Sequence, residues 1–159
     1  MKELQASKNM VAIVDDEDYA ALSGLKWHAF MVHKTWYAAT TQIDGKRTYL
    51  HRVIMKPATG EEVDHIDGDG LNNQRANLRV CTHQQNQQNM RKPNIPTYSI
   101  YKGVTKLDRG GKKIWVAQVK HNKKHIHCGN FETQEEAARA YNARALELFG
   151  EFANLNEIE

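Results

Sequence analysis

Cysteine and proline are scarce in this 159-residue chain, with two of the first and three of the second. Cys81 and Cys128 form no CxxC pair, so neither a zinc knuckle nor a disulfide framework is indicated. No stretch approaches the roughly 20 apolar residues that cross a bilayer. The opening, Met1 to Lys8, has no apolar run and does not read as a secretory signal. These absences lead us to expect a cytoplasmic, reduced setting and no membrane partner.

The chain is 40% hydrophobic and 26% charged, a folded rather than disordered composition. Its length allows one ordinary domain or two small ones. Net charge is only +3, and its distribution says more than its size. Residues 1–90 are nearly balanced. From Arg91 to Lys124 there are ten cations (Arg91, Lys92, Lys102, Lys106, Arg109, Lys112, Lys113, Lys120, Lys123 and Lys124) against the single acid Asp108. That segment reads as a polyanion contact.

Three segments follow from the patterning. In the first, Val11–Val14 is an apolar strand, and Asp15 and Asp16 offer N-caps for a helix through Leu22. Lys26–Phe30 and Thr35–Thr41 read as strands, with Trp27, Trp36 and Tyr37 as buried candidates. Asp44-Gly45 signals a hairpin turn into Arg47–Leu50, and a helix from His51 to Met55 stops at Pro57. In the second, Val63–Ile66 and Leu78–Cys81 are short strands about a turn-rich loop, and Thr82 caps a polar helix, His83 to Met90. Residues 91–100, with Pro93 and Pro96, read as a linker. In the third, Tyr101–Leu107, Ile114–Lys120 and His125–Phe131 read as three antiparallel strands. Thr133 then caps a helix whose Ala137, Ala138, Tyr141, Ala145 and Leu148 recur at helical spacing, ended by Gly150. The expected class is α+β, with a first segment 1–90, the linker, and a sheet-and-helix segment 101–159.

The densest chemistry lies from Val63 to Asn86. Hydrolysing a phosphodiester needs an activated water and charge stabilisation on the phosphate and leaving oxygen. A histidine near its ordinary pKa can act as general base. A carboxylate and an amide oxygen can hold one hard ion, Mg²⁺ or Mn²⁺. On a strand, adjacent Asp64 and His65 point to opposite faces. Asn77 can tie the loop and orient His65, and Asn86 can supply a second ligand. A calcium loop starting at Asp64 fails, because Ile66 and Gly68 fall on ligand positions; Asp67 and Asp69 are better read as turn formers. His125 and His127 share a strand face from which Cys128 points away, so a zinc site is not expected there.

Asp64-His65-Ile66-Asp67-Gly68, Leu71-Asn72-Asn73, Ala76-Asn77-Leu78-Arg79, Gln85-Asn86 and the upstream Tyr49-Leu50-His51-Arg52 together resemble the HNH endonucleases, most closely their phage and intron-encoded homing group. The resemblance implies a ββα-metal (His-Me) finger. In it His65 is the general base, Asp64 and Asn86 the metal ligands, and Asn77 the structural asparagine. The last position is Asn86 rather than His, which still provides an oxygen for a hard cation. For His51, a phosphate contact and a helix cap both stand open; Arg52 beside it is a further DNA-contact candidate.

Tyr101-Lys102-Gly103-Val104, Trp115 to Lys120, Gly129-Asn130-Phe131, Glu135 to Tyr141 and Ala153 to Asn156 resemble the plant Apetala-two/ethylene-response DNA-binding domain. That family lays one face of a three-stranded sheet in the major groove. Strand alternation agrees independently: Trp115, Ala117 and Val119 share one face, Gln118 and Lys120 the other, and His125 and His127 point outward. Gln118 and Lys120 suit base edges, while Lys102, Arg109, Lys112 and Lys113 suit phosphates. His125 and His127 depart from the plant pattern, so its target sequence does not carry over. The expectation is a metal-dependent, site-specific endonuclease acting on double-stranded DNA. It would work as a monomer or weak dimer, need no small-molecule cofactor, and nick one strand per active site. The alternatives are a DNA-binding regulator with a vestigial nuclease segment, and a first 56 residues that form a separate protein-interaction module.

Overall fold

The computed structural model describes residues 1–43, 45–90 and 99–158, with Arg109 as backbone alone. Asp44 of the expected turn, most of the 91–100 linker with Arg91 and Lys92, and the Arg109 side chain lie outside the described residues. The chain divides into two compact units, Met1–Asn86 and Gln87–Glu159. Its class is mixed, with small sheets and few helices.

The first unit opens with a hairpin, β1 (Lys2–Gln5) antiparallel to β2 (Val11–Val14). Helix α1 (Asp16–Leu22) follows, then β3 (His28–Val32), β4 (Thr35–Thr40) and β5 (Thr48–Tyr49) in one antiparallel sheet. Helix α2 (Leu50–Met55) ends where Lys56 turns left-handed ahead of Pro57. Strand β6 (Glu62–His65) pairs antiparallel with β7 (Leu78–Cys81), and α3 (His83–Asn89) comes next. Thr82 and Gln85 cap α3 reciprocally: Thr82 N donates to Gln85 Oε1 at 2.9 Å and Gln85 N to Thr82 Oγ1 at 3.3 Å.

One core joins these elements. Leu4, Ala12, Val14, Leu22, Trp27, Ala38, Leu50, Ile54, Val63 and Leu78 are buried together. Leu50 and Ile54, four apart, form the buried face of α2. Burying a side chain such as Leu50 contributes about 1.5–3 kcal/mol. The first 56 residues are therefore the scaffold on which β6 and β7 rest, and share their core rather than forming one of their own.

In the second unit β8 (Val104–Arg109), β9 (Lys112–His121) and β10 (Lys124–Phe131) form an antiparallel sheet in the order β10-β9-β8. Helix α4 (Gln134–Phe149), held by a Thr133–Glu136 capping box, packs on it. Ala137, Ala138, Tyr141 and Ala145 of the helix are buried, as are Val104, Ala117 and Val119 of the sheet. Gly103 has φ of 72° and lies against the Tyr141 ring, where no Cβ fits. Asn156 ties the C-terminal segment back, accepting from Lys102 N at 2.6 Å and donating to Lys102 O at 3.1 Å.

Candidate active site

Strand β6 brings Asp64 and His65 into the interior; they are 5% and 6% exposed. Asp64 lies opposite Arg79 of β7, and Asp64 Oδ2 accepts from Arg79 Nε at 2.8 Å and Nη2 at 2.7 Å. Both side chains are largely buried, so the pair cannot lose one member cheaply.

The loop between β6 and β7 is built by its own polar side chains. Asn77 Oδ1 accepts from Asp67 N at 3.1 Å, while its Nδ2 donates to Asp67 Oδ1 at 2.9 Å and Asn72 O at 2.8 Å. Asp67 also accepts from Asp69 N and Asn72 Nδ2, each at 2.8 Å. Burial pushes the Asp67 carboxyl upward, but the bonds from Asp69, Asn72 and Asn77 outweigh it and hold the group below its ordinary value. Asp67 and Asp69 are turn formers.

Strand β2 and helix α1 moor this loop. Ile13 N donates to Leu71 O, and Asn73 N to Ile13 O, each at 2.8 Å. Asp15 caps nothing with its side chain. Its carboxylate accepts from Arg75 N at 2.8 Å and Gln74 Nε2 at 3.2 Å instead. Gly70 lies against β4 so closely that a Cβ there would meet the Trp36 carbonyl oxygen and the Tyr37 ring.

His65 is oriented by Asn73, not by Asn77. Asn73 is fully buried, donates from Nδ2 to Gly70 O at 3.3 Å, and turns Oδ1 to His65 Nε2 at 3.4 Å. An amide oxygen accepts, so this contact favours a proton on Nε2. Burial lowers the His65 pKa, against the opposing pull of the Asn73 bond and the nearby aspartates. Around it stand Tyr37, with ring centroids 5.8 Å apart, and His51, at 5.0 Å and edge-on. His51 stacks on Tyr49 at 5.5 Å, and its Nδ1 is buried without a hydrogen-bond partner. Burial first, then His65 and Arg52, lowers the His51 pKa to about 3. His51 is therefore an interior neighbour of His65 and caps no helix; Arg52 Nη1 donates to Glu61 O at 3.2 Å.

Asn86 reaches β6 from α3. Its Nδ2 donates to Glu62 Oε2 at 2.6 Å, and Glu62 Oε1 pairs with His83 Nδ1 at 2.8 Å. Those bonds, from Asn86 first and His83 next, lower the Glu62 pKa. Because the amide nitrogen faces Glu62, the oxygen is the atom Asn86 can offer a cation. Asp64 Oδ2 is engaged by Arg79 and Asn86 Nδ2 by Glu62. Among the described residues no group of three or more His, Cys, Asp or Glu side chains is placed to hold a metal.

Sequence reasoning missed Glu62 and His83, and gave no site role to Asn73, which stands in one of the motifs, or to Tyr37, a buried candidate. Glu62 was findable: two residues before Asp64 on a strand, it shares that residue's side. His83 and Asn86 are three apart on a helix and so are neighbours. Asn73 carried no such mark.

In the second unit, β9 and β10 set Gln118 opposite His127 and Lys120 opposite His125, on the sheet face turned from α4. Lys112 shares that face by alternation, whereas Lys113 falls on the other. Lys102 is elsewhere: its Nζ donates to the carbonyls of Gln88 at 2.9 Å and Met90 at 2.5 Å. Burial lowers its pKa to about 8. Trp115 is half-buried under Lys106, whose Nζ lies 5.3 Å from the ring centroid.

The sequence pattern described as HNH endonuclease matches residues 48–88, which span β5 to α3. An uncharacterised HNH endonuclease of Acanthamoeba polyphaga mimivirus is 36% identical over 162 residues, covering 98% of this chain and 80% of that protein. Dehydration-responsive element-binding protein 1E of Oryza sativa subsp. indica is 43% identical over 61 residues, 37% of this chain and 26% of that protein. Protein 1G of the same subspecies matches to the same extent. No solved structure gives a significant match. Among the described residues no helix is long and apolar enough to cross a membrane. With one relative similar over 98% of this chain and a family pattern lying over the Asp64–His65 site, the chain belongs to the HNH endonuclease family.

Proposed function

We propose that this protein is a metal-dependent, site-specific DNA endonuclease of the homing type, nicking one strand per monomer. Residues 1–90 form the nuclease part, with β6, β7 and α3 as its ββα-metal finger. Residues 91–100 link it to an Apetala-two-like DNA-binding part, 101–159. The partial similarity to the rice element-binding proteins supports the second assignment.

The observation that carries the reading is the buried His65 beside Asp64, with Nε2 turned to Asn73 Oδ1. His65 Nδ1 takes a proton from water, the water oxygen attacks phosphorus, the bond from phosphorus to the 3′ oxygen breaks, and the departing 3′ oxygen takes a proton from solvent. The products carry a 5′-phosphate and a 3′-hydroxyl. Asp64 and Asn86 hold one Mg²⁺ or Mn²⁺, which supplies charge stabilisation to the phosphate and the leaving oxygen when bound. Asn77 keeps the loop closed so that His65 stays aimed. In the second unit Gln118, Lys120, His125 and His127 face the bases, and Lys112 and Arg109 the phosphates.

One observation favours the regulator reading: Arg79 already neutralises Asp64. The test is supercoiled plasmid carrying DNA from the source genome, incubated with and without Mg²⁺ or Mn²⁺. Metal-dependent conversion to open circle is expected. Bound but uncut plasmid would move the assignment to a regulator, and a directly linear product to a dimer.

A further inference from the structure

Charge in the first unit is balanced overall but not locally. From Tyr19 to Gly60 there are six cations, Lys26, Lys34, Lys46, Arg47, Arg52 and Lys56, and one acid, Asp44. This stretch contains the β3-β4-β5 sheet. The two faces of that sheet differ. Ala29, Ala38 and Thr40 are buried on one. The other carries Phe30 directly opposite Tyr37, His28 opposite Ala39, and Tyr49 opposite Ala39 from the far side; there Ala39 is buried, Phe30, Tyr37 and Tyr49 are half-buried, and the face opens to solvent at His28.

That second face runs into the candidate active site. Tyr37 lies edge-on to His65, with centroids 5.8 Å apart. Beside Tyr37, Phe30 is covered by the Arg47 guanidinium at 4.1 Å from the ring centroid. His28 and Arg47 are exposed. A guanidinium lying on a ring keeps its N–H edges directed outward, the arrangement that suits a phosphate oxygen. The ring also limits the entropy lost when Arg47 is fixed.

We propose that this face, from His65 through Tyr37 and Phe30 to Arg47 and His28, is a second DNA-contact surface. It would carry the duplex backbone that flanks the scissile phosphate. The occupant is double-stranded DNA because the stretch is almost free of acid and Arg47, exposed and seated on Phe30, lies on the face that leads to His65. The position of the cut along the strand relies on the nuclease reading; the DNA contact itself does not. This surface belongs to the nuclease unit, so binding is divided between two places rather than assigned wholly to the second unit.

The test uses the full chain and a linear double-stranded DNA fragment of random sequence, in EDTA so that nothing is cut. Affinity is measured against salt for wild type, Arg47→Ala, Arg47→Lys and Phe30→Leu. Each lost phosphate contact lowers the slope of log K on log salt by about 0.9. Arg47→Ala is expected to lower it by that amount and to weaken binding several-fold. Arg47→Lys should keep the slope, and Phe30→Leu should weaken binding while the fold, followed by thermal unfolding, persists. Slope and affinity in Arg47→Ala identical to wild type would overturn the proposal, as would absence of DNA binding by wild type. A wild type that never cuts with Mg²⁺ while Arg47→Ala still loses slope overturns the nuclease reading and leaves this surface standing.

Discussion

Replacing Asn73 with alanine removes a side chain that holds His65 by Nε2. Asn73 is 0% exposed, and its side chain makes two long bonds, 3.4 Å to His65 and 3.3 Å to Gly70 O. Bonds of that length lie at the weak end, about 0.5–1 kcal/mol each. The loss leaves the His65 Nε2–H and the Gly70 carbonyl without their partner, at about 1–3 kcal/mol for a buried group left unsatisfied. The backbone bond from Asn73 N to Ile13 O at 2.8 Å survives. We therefore expect about 2–3 kcal/mol of destabilisation, measurable by urea unfolding. Catalysis should lose more than folding. Without the acceptor, the proton is no longer fixed on Nε2, and part of the population presents the wrong nitrogen to water. Removing such an orienting partner costs about 10–100-fold in activity. Single-turnover cleavage should show that loss in the rate at saturating enzyme, with DNA affinity unchanged. Ring nitrogen NMR shifts should show one tautomer in wild type and a mixture in the variant. A variant that cuts at the wild-type rate would refute the orienting role.

Three further outcomes follow from the same geometry. The pKa of His51 falls from 6.5 unfolded to about 3 folded, so the unfolded state binds the extra proton in that window. Stability is full above the unfolded value and declines as pH drops towards 3; His51→Phe, which keeps the ring on Tyr49, should flatten that slope in urea titrations at stepped pH. Gly70→Ala forces a methyl onto the Trp36 carbonyl and the Tyr37 ring, lifting the loop from β4. We expect cleavage to fall at least tenfold while thermal unfolding of the second unit is unchanged. Asp64→Ala strands the buried Arg79 and should cost about 3–5 kcal/mol. Asp64→Ala with Arg79→Met should recover most of that stability without recovering cleavage; recovered cleavage would remove Asp64 from the metal site.

Most elements were legible because their patterns are local. Helix α4 declared itself by its capping box and its buried spacing, although Phe149 rather than Leu148 is its last buried residue. β3 begins at His28, two residues later than alternation suggested. Trp27 is taken out of the strand run by a bridge to Ala6 and by its indole N–H on Leu22 O at 3.0 Å. β1 was unexpected, since Lys2–Gln5 has little apolar character and is a strand only because β2 pairs with it. Nonlocal pairing also explains the site. The position of Asn73 beside His65 depends on Ile13 holding the loop, sixty residues away in the chain, which no spacing rule displays. Lys102 looked like a phosphate contact by charge alone; the carbonyls of Gln88 and Met90 that engage it are invisible in the sequence.

The central claim is that His65 deprotonates the attacking water. It is tested most directly by His65→Ala in the plasmid assay with Mg²⁺, with gel-shift binding and thermal unfolding measured on the same preparation. The account predicts a folded variant that binds DNA as wild type does and leaves the plasmid supercoiled, while wild type yields open circle with 5′-phosphate ends. A folded His65→Ala that nicks at the wild-type rate would contradict it.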